Sequence, residues 1–156
     1  MELTVDFEIN QPEAERYLRP YVAVWIADKD GKLVRTLNLW ILKGNKGLKW
    51  LPRLKQWNRA DAELREPGKT PDIPPISSAT RNPGKYNVVW DGLDDQKKPL
   101  PAGDYTLYVE AVREHGTYQI IKHPIKTGTE PFKATLEGGV EIKAASLDYH
   151  PKAAAN

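Results

Sequence analysis

The 156-residue sequence predicts an all-β, Greek-key sandwich of about eight strands with one short amphipathic helix. Three observations carry that reading. Leu3 to Ile9, Tyr86 to Trp90 and Tyr105 to Ala111 alternate apolar and polar residues with period two, the mark of half-buried strands. Thirteen prolines and eleven glycines break the chain into short segments, as many strands and turns require. Helical spacing of apolar residues is confined to one short stretch after Trp50.

The chain is organised around Tyr86 to Ala111. Tyr105, Leu107, Val109 and Ala111 share one strand face, with Thr106, Tyr108 and Glu110 on the other. Tyr86, Val88 and Trp90 alternate likewise. Between them lie Asp91-Gly92, Asp94-Asp95, Pro99, Pro101 and Gly103. Glycine supplies positive φ, aspartate closes turns on nearby amides, and proline gives up a donor, so the ladder must stop there.

Taken in order, Leu3 to Ile9 is a strand with one wet face, and Gln11 to Arg19 is loop. Tyr21 to Ala27 is apolar on both faces and fits a central strand. Asp28-Lys-Asp-Gly31 is a hairpin turn; calcium would need more oxygen ligands and a terminal glutamate. Leu33 to Ile41 returns, with Leu33, Leu37, Leu39 and Ile41 expected inward. Leu51 to about Ala60 reads as the helix, crossing one end or edge of the sandwich, with Pro52 tolerated in its first turn. Residues 61–76, with four prolines, read as a long irregular loop of the kind that is functional or mobile.

Glu114 to Thr117 is a turn, and Tyr118 to Lys122 a strand expected to end near Pro124. Phe132 to Leu136, a Gly138-Gly139 turn and Val140 to Tyr149 form a last hairpin. Its second arm changes face, which predicts a bulge near Ala145. Residues 1–150 then make one sandwich domain of immunoglobulin class, with 151–156 a frayed tail. A closed barrel is the runner-up.

Composition bounds the function. A net charge of +2 is too small to argue for nucleic acid. Zero cysteines excludes disulfides, a thiol nucleophile and thiolate metal sites. No stretch approaches the length of a membrane span.

Several motifs carry a resemblance. Trp90-Asp-Gly92, Pro99-Leu-Pro-Ala-Gly103 and the alternating Tyr105, Leu107, Val109 and Ala111 resemble the immunoglobulin-like domain of flagellar hook-capping proteins. Arg19-Pro-Tyr-Val-Ala-Val-Trp-Ile26, Trp50-Leu-Pro-Arg-Leu54, Ser78-Ala-Thr-Arg-Asn-Pro-Gly84 and Val112-Arg-Glu-His-Gly116 resemble a bacterial family of predicted periplasmic proteins of unknown function. That likeness runs from about Leu3 to Tyr149. It implies export, with a leader absent from this chain, and an accessory role beside a membrane flavoprotein in electron transfer or metal uptake.

Lys43 to Arg59 carries six Lys/Arg and no acid. On one reading Lys49, Arg53, Lys55 and Arg59, with Trp50 and Trp57 as anchors, bind an acidic protein partner or an anionic envelope surface. On the other, the Trp and Leu residues cap the core and the cations are simply solvated. Single-strand nucleic-acid binding would need a run of stacking platforms.

Ser77-Ser-Ala-Thr80 resembles the acceptor motif D-x-x-(S/T)-G-A-(T/S), in which flavin mononucleotide is attached to the last hydroxyl, here Thr80. Ser78 replaces the glycine and Pro74 the aspartate; the other reading is a turn leading into the Tyr86 strand. His115, His123 and His150 lack compact ligand spacing, and His115 is the best candidate for a metal or haem. Ser77 or Ser78 with His115 and an aspartate would make a hydrolase, but no nucleophile-elbow pattern exists. The expectation is a non-catalytic binding module of the bacterial envelope, with a cofactor carrier as the alternative.

Overall fold

The computed structural model describes residues 1–12, 17–42, 44–64 and 75–151. In chain order the strands are β1 (Glu2–Ile9), β2 (Tyr21–Asp28), β3 (Leu33–Ile41), β4 (Ser77–Ala79), β5 (Gly84–Trp90), β6 (Gly103–Val112), β7 (Tyr118–Thr127), β8 (Phe132–Leu136) and β9 (Ile142–His150). Between β3 and β4 come helix α1 (Asn45–Trp50), a 3-10 turn (Leu51–Arg53) and helix α2 (Lys55–Leu64). The strands form two sheets, ordered β5-β1-β9-β8 and β4-β3-β2-β6-β7. Every pairing is antiparallel except β3 with β4. Among the described residues no helix is long and apolar enough to cross a membrane.

The alternating strands do what their periodicity requires. Leu3, Val5, Phe7 and Ile9 of β1 meet Val22, Val24 and Ile26 of β2 and Leu107, Val109 and Ala111 of β6 between the sheets. Tyr86, Val88 and Trp90 join them from β5. The all-β sandwich expected from the sequence is therefore present, with β4 as a ninth strand.

A third layer explains why β2 is apolar on both faces. Its other face, Tyr21, Ala23 and Trp25, packs with Leu33, Leu39 and Ile41 against Leu51, Leu54 and Trp57 of the helical segment. The helices thus cover the outer face of the five-stranded sheet, not one end or edge of the sandwich. They are also two helices where one was expected. Pro52 has no N–H to continue the ladder, so Leu51–Arg53 tightens to 3-10 geometry and Leu54 leaves the helical region with ψ of 67°. The chain restarts at Lys55 and runs to Leu64, taking four residues from the expected loop; residues 65–74 of that loop lie outside the described residues.

Four local expectations change. In β3, Thr36 faces Trp25 while Asn38 faces Val24, so Leu37 bulges out of register. A second shift lies between Ile26 and Ala27. Leu37 and Trp40 consequently enter the inter-sheet core, while Leu33, Leu39 and Ile41 face the helices. Strand β7 runs through Pro124 because it is an edge strand, where the missing N–H costs no ladder bond. In β9 the bulge falls at Lys143, since Glu8 pairs Ala144 and Ile9 pairs Ile142. Ala145 is inward and Val140 is exposed. Ser77–Ala79, read as a turn, is an edge strand beside Leu39–Ile41. Of the 151–156 tail, only Pro151 is among the described residues.

The arch from Asp91 to Ala102 is tied to the β3 bulge. Arg35 Nη1 donates to Asp91 Oδ1 and the Leu93 carbonyl, both at 3.0 Å. Asp95 Oδ1 accepts the Thr36 amide at 3.0 Å, and burial raises its carboxyl above the usual range. The acidic residues serve turns here as expected: Asp94 Oδ1 accepts the Gln96 and Lys98 amides, and Asp28 Oδ1 those of Asp30 and Lys32.

Candidate functional site

Helix α2 begins without an acidic residue in its first turn. The first amides of a helix need acceptors, and the sheet beneath supplies one. Glu110, fully buried on the outer face of β6, accepts the Gln56 amide on Oε2 and the Trp57 amide on Oε1, each at 2.9 Å. The Tyr118 hydroxyl of β7 donates to the same carboxylate. Burial raises the Glu110 carboxyl above its ordinary value, against those three hydrogen bonds and the nearby Lys55. Burial, the hydrogen bond to Glu110 and its charge together push the Tyr118 phenol up. Trp57, 1% exposed, adds an indole N–H bond of 3.2 Å to Thr36 Oγ1.

This anchor sets the position of the basic segment. With Leu51, Leu54 and Trp57 turned into the sheet, Lys46, Lys49, Arg53, Lys55 and Arg59 all point outward. Arg53 places its guanidinium 5.2 Å from the Trp50 ring centre, and Lys55 its ammonium 4.3 Å from the Tyr118 ring centre. Lys46 pairs with Glu114 at 3.2 Å.

The β6–β7 turn completes one side of a cleft of about 420 Å³, with Trp50, Pro52, Arg53 and Lys55 on the helical side and Val112, His115, Gly116 and Tyr118 on the strand side. The His115 and Trp50 rings lie 5.8 Å apart, edge to face. His115 is 80% exposed and sits at φ 57°, the left-handed turn region that histidine enters more readily than bulkier residues. Behind the turn, buried Arg113 donates through Nε to both oxygens of fully buried Glu141, at 2.8 and 2.9 Å. The Thr117 hydroxyl donates to Glu141 as well, and Tyr17 stacks on the Arg113 guanidinium.

The residues singled out from sequence therefore divide. Trp50, Arg53, Lys55 and His115 come together in the cleft. Lys49 is exposed on the helical face beside it. Arg59 lies further along, beside Asp30, Gly31 and Glu63. Trp57 is a packing residue beneath that face, with no surface to offer. Thr80 follows β4 at the far edge of the same sheet and is 4% exposed. Strands β3 and β2 lie between β4 and β6, so Ser77 and Ser78 are not brought to His115. His123 lies in β7, and His150 in β9, 3.0 Å from Asp148. Among the described residues no three His, Cys, Asp or Glu are placed to hold a metal.

Glu110, Tyr118 and Arg113 were not legible as site residues. Glu110 falls on the face that alternation assigns to solvent. The available signal was a lone carboxylate inside an apolar strand, followed by a need for acceptors at an uncapped helix start. Tyr118 read only as the first residue of a strand.

Intact mass of protein from its native host is expected to be unmodified, because the Thr80 hydroxyl is buried. An added flavin mononucleotide on the Thr80 peptide would show that the β4 edge opens for a transferase.

In the comparison with known families, residues 2–144 match the model described as predicted periplasmic protein, DUF2271. No curated protein matches the chain, and no solved structure does.

Proposed function

The chain belongs to the DUF2271 family of predicted periplasmic proteins, which sets it in the periplasm, and from that premise we propose that it is a non-catalytic platform binding an acidic protein partner of the envelope through its helical layer. One observation carries the reading. The layer turns Leu51, Leu54 and Trp57 to the sheet and presents Lys49, Arg53 and Lys55 beside the half-buried Trp50, with Leu48 exposed next to Lys49. A cationic surface with an aromatic anchor suits a partner of opposite charge, and its field speeds and orients the encounter. The proposal includes, on the resemblance alone, an accessory role beside a membrane flavoprotein in electron transfer or metal uptake.

The immunoglobulin-like kinship belongs to the same proposal. It is supported by Tyr105, whose hydroxyl near the start of β6 donates back to the Pro101 carbonyl, as in the tyrosine corner of such sandwiches.

Reversing the charge of the layer tests the reading. Arg53→Glu with Lys55→Glu is expected to abolish binding of the native partner while leaving the domain folded, the two lost ring contacts costing about 1–2 kcal/mol together. Unchanged binding in the double variant would dispose of the helical layer as the binding surface. Loss of binding to phosphatidylglycerol vesicles, with protein binding intact, would reassign the surface to lipid.

A further inference from the structure

The cleft beside the basic face says more about what docks there, and this step rests on the reading above. We infer that the partner presents an acidic, extended segment carrying one large apolar side chain, and that this side chain enters between Trp50 and Tyr118. The cleft has a volume of about 420 Å³, with Trp50, Val112 and Tyr118 among the residues that line it. Val112 is 8% exposed and belongs to the cluster that holds the helices to the sheet. The lining is mixed, with Trp50, Pro52, Val112 and Tyr118 among Arg53, Lys55 and His115, so it gains from an occupant that sets one apolar group among acidic ones.

The cations define what surrounds that occupant. Arg53 and Lys55 rest on the two aromatic rings, and the His115 and Trp50 rings meet edge to face. A carboxylate reaching either cation would meet a charge already held in place by its ring, so little side-chain freedom is lost on pairing. The neighbouring protein carboxylates are engaged: Glu114 lies 3.2 Å from Lys46 and 3.8 Å from His115, Glu110 is closed under the α2 amides and Tyr118 with Lys55 nearby, and Glu141 is held by Arg113. An acidic segment therefore approaches cations that reach solvent, and among the described residues no carboxylate lines the cleft to compete with it. A lipid surface would call for apolar groups that protrude together beside the cations; Leu48 in α1 and Leu64 at the end of α2 are exposed singly, and the apolar groups beside Arg53 and Lys55 line a hollow.

The test uses the full chain, nitrogen-15 labelled, and two synthetic peptides: acetyl-Glu-Glu-Leu-Glu-Glu amide and the same peptide with alanine in place of leucine. The leucine peptide is expected to shift the Trp50 indole N–H and the His115 and Gly116 amides. The alanine peptide is expected to bind about tenfold more weakly, since most of the apolar contact is gone. Trp50→Ala should remove the difference between the peptides. If that variant fails to fold, the wild-type pattern and the exposed-site Arg53→Glu, which should weaken both peptides, carry the test.

Equal binding of the two peptides, or shifts confined to Lys49 and Arg59, would overturn the inference. So would phosphatidylglycerol vesicles shifting these resonances where neither peptide does. The two levels separate cleanly. Loss of native-partner binding in Arg53→Glu/Lys55→Glu with no peptide response defeats the cleft and leaves the basic face standing. A peptide response with native binding unaffected by the charge reversal defeats the basic face as the partner's surface.

Discussion

Glu110→Ala is expected to lower stability by about 3–5 kcal/mol, because it strands three donors in a site closed to water. The Gln56 and Trp57 amides lose their acceptor at the start of α2, and the Tyr118 hydroxyl loses its own. Urea unfolding monitored by far-ultraviolet circular dichroism measures the loss, and the Trp57 indole N–H resonance reports whether the helical layer leaves the sheet first. A change below about 1 kcal/mol would mean that the layer is held by Leu51, Leu54 and Trp57 alone. The pH dependence carries a sign. Burial holds the folded carboxyl above its ordinary value, so the folded state binds this proton more tightly than the unfolded chain does. The contribution is full below about pH 4.3, the ordinary glutamate value, and fades as pH rises through the raised one. Glu110→Gln has no such proton, so the stability of wild type relative to this variant should fall as pH rises above the ordinary glutamate value.

Arg113→Met is expected to cost a similar amount, about 3–5 kcal/mol, by leaving the Glu141 charge buried without its counter-ion. The Thr117 hydroxyl cannot replace a guanidinium that donates to both carboxylate oxygens. The β6–β7 turn should loosen with it, since Gly116 packs against the Arg113 side chain so closely that a Cβ there would lie 2.7 Å from Arg113 Cβ. Removing both charges, as Arg113→Met with Glu141→Leu, should be far milder than the single change, because no unpaired ion remains. Thermal unfolding of the three variants at one pH decides this. A double variant as unstable as Arg113→Met would show that the cost lies in packing around Tyr17 and Gly116.

How much of this was legible follows from which forces act locally. The inward faces of β1, β5 and β6 were readable because period-two alternation reports burial on one side. The doubly apolar β2 was readable as central, but not what covered its second face. That depends on Trp57 and Leu54 arriving from elsewhere in the chain. Pro124 misled because its tolerance depends on β7 being an edge, a fact of topology with no local trace. The β3 bulge at Leu37 was hidden for the same reason, since Asp95, which takes the Thr36 amide beside it, is 59 residues away. Of the site, the cations and Trp50 stood out as an unbalanced run in the sequence. Their meeting with His115 and Tyr118 arises only when α1, the 3-10 turn and the β6–β7 turn are folded together.

Site-specific photo-crosslinking in the periplasm tests the central claim most directly. One photoreactive residue replaces Gln56, exposed on α2 beside Arg53 and Lys55, and in a second protein it replaces Asp6, exposed on the outer face of the four-stranded sheet. The account predicts a crosslink from position 56 to a peptide rich in aspartate and glutamate, and none from position 6. A crosslink from position 6 alone would place the working surface on the opposite side of the molecule and contradict the account.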